Sequence, residues 1–145
     1  MSANLPPIVK LAERLLADVV TATSRFPRPF RYGLGDDLRQ SGYRVVEQAL
    51  MAWRDHGNQA LWIERLDRSV SALKTRLQTA CTVRAFRGGL GEFEALIRMA
   101  DDLGRQVGGW RKRQHPQRQN AGAPQARQQR PTTLSTRAAP ARANR

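Results

Sequence analysis

One cysteine, two histidines and three lysines stand among 145 residues, and each scarcity removes a class of function. With Cys81 as the single thiol, no internal disulfide forms and no cysteine cluster holds a metal. Cys81 falls on an apolar stripe, the position of a core-packing residue. His56 sits in a turn and His115 in a polar C-terminal segment, and neither joins Cys81 or a serine in a nucleophile motif. No Glu-x-x-His or His-x-x-Glu spacing marks a di-metal bundle. The neighbouring carboxylates Asp36/Asp37 and Asp101/Asp102 read as helix-dipole partners or a solvated face, not as an acid–base dyad. The expectation is a protein without enzymatic activity, cofactor or metal. Apolar runs stay far below the length of a membrane span. No basic segment followed by a long apolar run opens the chain, so a cytoplasmic protein with no membrane partner is expected.

Acid is scarce as well, and unevenly so. Residues 111–145 contain nine of the 25 Lys and Arg and none of the 12 Asp and Glu. Residues 1–110 keep the other 16 cations against all 12 acids, so most of the net charge of +13 sits in the last quarter of the chain. A pI near 11.6 points to a polyanionic partner, most often nucleic acid. The same last quarter has Leu134 as its only large aliphatic residue beside Gln, Ala, Pro, Arg and Thr. Such a segment buries too little surface to offset its ordering entropy, and a disordered basic tail over 111–145 is expected.

What is abundant is helical periodicity. Leu5, Ile8, Ala12, Leu15, Leu16 and Val19 make one amphipathic stripe over 5–23, with Pro6 and Pro7 in its first turn and Asn4 as its cap. A second helix is expected over 36–55 on Leu38, Val45, Ala49 and Leu50, capped by Asp36, with Asp37 also favoured by the dipole. His56-Gly57-Asn58 is a short turn. A third helix is expected over 59–86, where Leu66, Val70, Leu73, Leu77, Ala80 and Arg84 keep heptad spacing. Arg87-Gly88-Gly89-Leu90-Gly91 breaks it; without a preceding strand or a Gly-Lys-Ser/Thr ending, this is a turn between antiparallel helices rather than a phosphate loop. A fourth helix over 92–107 follows Phe93, Leu96, Ile97, Ala100, Leu103 and Val107 and ends at Gly108-Gly109, with Trp110 folding back on the core. No strand-like alternation occurs. The fold class is all-α: an up-down-up-down four-helix bundle over 1–110.

The connection from Arg25 to Asp36 is chemically richer than a joint between helices requires. Arg25, Arg28 and Arg31 alternate with Phe26, Phe30 and Tyr32 around Pro27 and Pro29. In one reading the aromatics plug the end of the core. In the other, they stack single-stranded bases beside arginines that hold phosphates. Further cations suited to nucleic-acid or partner binding are Arg65, Arg68, Lys74 and Arg76 on the third helix, Arg84 and Arg87 at its end, and Arg111, Lys112 and Arg113 opening the tail.

Two patches carry a resemblance. Arg25-Phe26-Pro27-Arg28, with Tyr32, Gly33, Leu34, Gly35 and Asp36, resembles the first helix connection of the four-helix-bundle proteins related to ribosomal-RNA intervening-sequence proteins. Gly104-Arg105-Gln106-Val107-Gly108-Gly109-Trp110 resembles the closing signature of that group. Together, over about residues 5–113, they are most similar to the accessory variability determinant (Avd) family of diversity-generating retroelements. The resemblance implies a homopentameric barrel of four-helix protomers. It implies a non-catalytic accessory protein that binds the element's reverse transcriptase and template RNA, and its cDNA, during mutagenic synthesis. The family carries basic residues midway along the third helix; Lys74 and Arg76 match in character, while Gln78 and Thr79 depart without charge. The alternatives are a ribosomal-RNA-associated bundle without a reverse-transcriptase partner, and a general basic nucleic-acid-binding oligomer.

Overall fold

A computed structural model describes residues 4–122, with side chains as far as Gln114. The described residues are helical throughout their ordered elements, with four long helices and no strand. Helix α1 is Pro7–Ser24, α2 is the single turn Arg28–Arg31, α3 is Leu34–Arg54, α4 is Gln59–Thr82 and α5 is Gly89–Gly122. A 3-10 turn, His56–Asn58, joins α3 to α4. The chain divides into a compact unit of residues 1–112 and a second unit of residues 113–145.

The apolar stripes read from the sequence are the buried ones. Leu15, Val19, Leu38, Val45, Leu66, Val70, Leu73, Leu77, Ala100, Leu103 and Val107 are all at most 1% exposed and share one core. Successive long helices run antiparallel. Leu16 meets Gly42 and Thr23 meets Gly35, Trp62 reaches back to Asp55, and Arg111 and Lys74 of α5 and α4 pair with Glu64 and Asp101 across the two helices. Asp36 and Asp37 occupy the first turn of α3, where the helix dipole favours them.

Several boundaries move. Asn4 does not cap α1; Pro6 is the N-cap and Pro7 opens the helix, its missing N–H costing nothing there. Asp36 lies inside α3, whose N-cap is Gly33 without a side-chain cap. The connection after α1 contains a helical turn because Pro27 precedes it and Pro29 sits in its first positions, where proline is tolerated. Helix α4 stops at Thr82, so Arg84 leaves the heptad seam altogether.

The largest correction is at the end of α5. Gly108-Gly109 was expected to end it near Val107, yet the helix continues to Gly122. Neither glycine takes the left-handed conformation of a helix cap. Each glycine weakens a helix by about 1 kcal/mol relative to alanine, but anchors flank the pair. Val107 is buried, Trp110 packs against the core and Arg111 is ion-paired. The tail expected to lack structure from Arg111 is therefore helical over 111–122; the remainder of that expectation, 123–145, lies outside the described residues.

Candidate nucleic-acid interface

The antiparallel arrangement brings two separate connections, Arg25–Gly33 and Val83–Gly88, to one end of the bundle. Phe26 is fully buried there and meets Phe86 edge-on, ring centroids 5.2 Å apart at 89°. Phe86 in turn leans on Phe93 at 6.1 Å. Phe30 is half-buried against the same core. The three-aromatic stacking surface is thus reduced to one: Phe26 and Phe30 plug the core, and Tyr32, 66% exposed, is the aromatic left in solvent. Phe26, ahead of the α2 turn, and Phe30, within it, both turn toward the core, while Arg28 and Tyr32 are exposed.

Other residues hold this plug in place. Arg39, which the sequence did not single out, donates from Nη1 to Thr23 Oγ1 at 2.9 Å and from Nη2 to the Arg31 carbonyl at 3.3 Å, and pairs with Asp36. Gly35 is buried where α3 passes α1 and α2; an added Cβ would lie 3.4 Å from the Phe30 carbonyl and 3.6 Å from Thr23 Cβ. Both are ordinary van der Waals distances, so the α3 backbone packs against α1 and α2 here without crowding.

The cations of this end divide by what they touch. Arg25 pairs with Glu92 at 2.6 Å, so its charge is opposed. Arg31 Nε donates to the Phe26 carbonyl at 3.3 Å and Arg87 Nε to the Arg25 carbonyl at 3.0 Å. Both bonds serve the carbonyls just past the end of α1, where cations are favoured. Arg28 and Arg84 are exposed, and their side chains have no hydrogen-bond or ion-pair partner among the described residues.

Arg84 is also the one non-glycine residue among the described positions with positive φ, 59°. Its N–H bonds the Cys81 carbonyl at 3.0 Å, and the next N–H, of Ala85, bonds the Ala80 carbonyl at 2.9 Å. This paired reversal at a helix C-terminus normally places glycine in the left-handed position. An arginine there costs about 1 kcal/mol relative to glycine.

The remaining sequence candidates fall elsewhere. Lys74 pairs with Asp101 at 2.9 Å, and its ammonium passes over Gly104, where a Cβ would be only 3.2 Å from Nζ. Arg76 donates to the Ala72 carbonyl of its own helix. Arg65 lies over the Trp62 ring at 5.0 Å, and Arg68 is exposed. Arg111 is spanned by Glu64 and Asp67, each at 3.3 Å. Lys112 and Arg113 are exposed further along α5. The twelve cations therefore form no single face: five cluster at the plugged end, two lie midway, and five lie toward the other end of α4 and along α5.

Of the signature residues, Phe26, Gly35 and Gly104 have packing roles, Pro27 precedes the α2 turn and Asp36 pairs with Arg39. Arg105 pairs with Asp102 on the surface, Trp110 packs on the core, and Gly108 and Gly109 border open space. The adjacent carboxylates Asp101 and Asp102 thus serve two different ion pairs. At the far turn, Asp55 is held below the usual carboxylate range, first by the Trp62 indole N–H at 3.0 Å and then by the Asn58 amide.

Among the described residues no group of His, Cys, Asp or Glu is arranged to hold a metal ion, and no helix is long and apolar enough to cross a membrane. No protein-family model and no curated protein matches the chain.

Proposed function

We propose that this chain is a non-catalytic, cytoplasmic accessory protein of the Avd type, which binds the reverse transcriptase of a diversity-generating retroelement and its template RNA. The observation that carries the RNA-binding part is the set of exposed guanidinium groups at the plugged end. The Arg28 and Arg84 side chains have no partner among the described residues, and of the acids nearby Glu92 and Asp36 are engaged with Arg25 and Arg39. Phosphates are the natural counter-charge for such groups, and contacts of this kind are salt-sensitive and largely sequence-independent. The retroelement assignment rests on the two signature patches.

Assembly into a homopentameric barrel follows from the same resemblance. A strip on α4 supports it: Ser71, Thr75, Gln78, Thr79 and Thr82 are exposed and uncharged, so protomers of a cationic chain meet there without repulsion. Five copies of a weak cationic patch bind one long RNA far more tightly than one copy. The basic tail adds a further arm for the polyanion.

The test is a pull-down of the full chain from its native host at moderate salt, identifying bound protein and RNA together. The expected result is a reverse transcriptase with one discrete structured RNA. Recovery of ribosomal RNA alone, or of nothing, overturns the retroelement reading.

A further inference from the structure

Where α4 ends and α5 begins there is a groove of about 370 Å³, walled by Cys81, Arg84, Phe86, Gly89 and Leu90. Its walls are mostly apolar, and Leu90 is 61% exposed, unusually open for a leucine beside a core. Its volume lies at the small end of the ~300–1,000 Å³ typical of small-ligand sites. Gly89 contributes no side chain, and an added Cβ there would meet nothing within 4 Å.

Charge decides what the groove suits. No carboxylate lines it, whereas the neighbouring cleft between α1 and α5 is lined by Asp18 and Glu92 along with Arg25. Its cation is Arg84, kept in the left-handed position that a helix end ordinarily gives to glycine. Attraction to the C-terminal carbonyls of α4 offsets part of that strain, but it would be met equally by a cation in the preceding turn, where no strain arises. A strained, unpartnered arginine on an apolar slot is the arrangement that binds a flat apolar body joined to an anion.

We propose that this groove receives one unpaired nucleotide of an RNA strand, its base against Leu90 and the edge of Phe86, its phosphate on the Arg84 guanidinium. The proposal rests on the RNA-binding reading above and adds a preference to it. A base inside a duplex has both faces stacked and cannot enter the slot, whereas an unpaired base can be splayed out and packed on protein. The groove therefore favours single-stranded regions over helices.

The experiment measures binding of the full chain to a labelled oligouridine and to a blunt RNA duplex of equal length, at one moderate salt concentration. Wild type is compared with Arg84→Gly and Leu90→Glu. Arg84→Gly relieves the backbone, so its thermal midpoint should rise or hold, which keeps the result free of unfolding. Leu90→Glu places an acid on an exposed position in the slot. Each variant is expected to lose about tenfold in affinity for oligouridine, the scale of one charge-assisted contact, with duplex affinity within about twofold. Equal losses on both RNAs would make Arg84 a general phosphate contact and overturn the pocket. Unchanged binding of both would leave it a helix-end residue and overturn the pocket too. A shift in sedimentation of the RNA-free protein on Leu90→Glu would assign the groove to a second copy instead. Wild type that binds neither RNA would overturn the RNA-binding reading itself, an outcome separate from the others because it appears before any substitution is made.

Discussion

The two ends of the bundle differ in what packs there: three phenylalanine rings at one, ion pairs and arginine–indole contacts at the other. Toward the far turn, where Asp55 and His56–Asn58 join α3 to α4, several arginines are engaged by acids or indole rings, while Arg68 and Lys112 stay exposed. Arg111 lies between Glu64 and Asp67, Arg65 covers Trp62 and Arg54 approaches Trp53 at 5.9 Å. At the plugged end, aromatic packing closes the core, and the Arg28 and Arg84 side chains have no partner among the described residues. An end held by Phe26, Phe86 and Phe93 can leave cations exposed because its stability does not depend on neutralising them.

The strongest way to break this contrast is to remove the plug. Phe26 is fully buried, and Phe26→Ala should cost about 3–5 kcal/mol in urea unfolding. The loss should also disorder the Arg31 and Arg87 contacts to the carbonyls of Phe26 and Arg25. A cost below about 1 kcal/mol, within the range of a surface change, would mean that charge pairs close this end as they do the other.

How far the sequence revealed these ends follows from the kind of signal each carries. The four stripes were readable because burial repeats every three to four residues, and Leu66, Val70, Leu73 and Leu77 are buried as their spacing requires. That Arg25–Gly33 and Val83–Gly88 share an end follows from the expected up-down-up-down order, but the contacts between them join residues about 60 apart and leave no periodic mark. The same holds for Arg39, whose partners lie on three elements. Arg84 was misplaced because heptad spacing continued through it by coincidence; the left-handed turn leaves no mark in a sequence when arginine replaces glycine. The helix through Gly108-Gly109 was missed for the reverse reason. Glycine pairs signal an end, and only the packing of Trp110 and the pairing of Arg111 overrule it.

That last point gives a smaller effect of opposite sign. Gly108 and Gly109 are helical and an added Cβ would meet nothing within 4 Å at either. Each single substitution to alanine should therefore stabilise the fold by about 1 kcal/mol in urea unfolding. Gly104→Ala should gain less, because its Cβ would come within 3.2 Å of Lys74 Nζ and press on the pair with Asp101. If Gly108→Ala stabilises the fold but weakens recovery of the reverse transcriptase proposed as partner, the glycine serves a docking surface; destabilisation would show that the helix is not regular there.

The subtlest difference concerns pH at the far turn. The Asp55 carboxyl is held below its ordinary 3.8 chiefly by the Trp62 indole N–H, with the Asn58 side chain next and burial opposing. A carboxylate whose folded value is depressed binds fewer protons in the folded than in the unfolded chain. Its stabilising contribution is complete above the unfolded value and is lost as pH falls through the folded one. Trp62→Phe keeps the ring and removes the donor. Other carboxylates titrate in the same acid range, so the quantity to follow is the difference in unfolding free energy between wild type and Trp62→Phe. That difference should be constant from neutral pH down to about 4 and shrink below it. At the plugged end, Phe86→Leu removes aromatic packing without touching a titrating group, and its difference from wild type should stay flat across the same acid range. A flat profile for Trp62→Phe would remove Asp55 from the forces holding the turn and leave the Arg111 pairs to close that end alone.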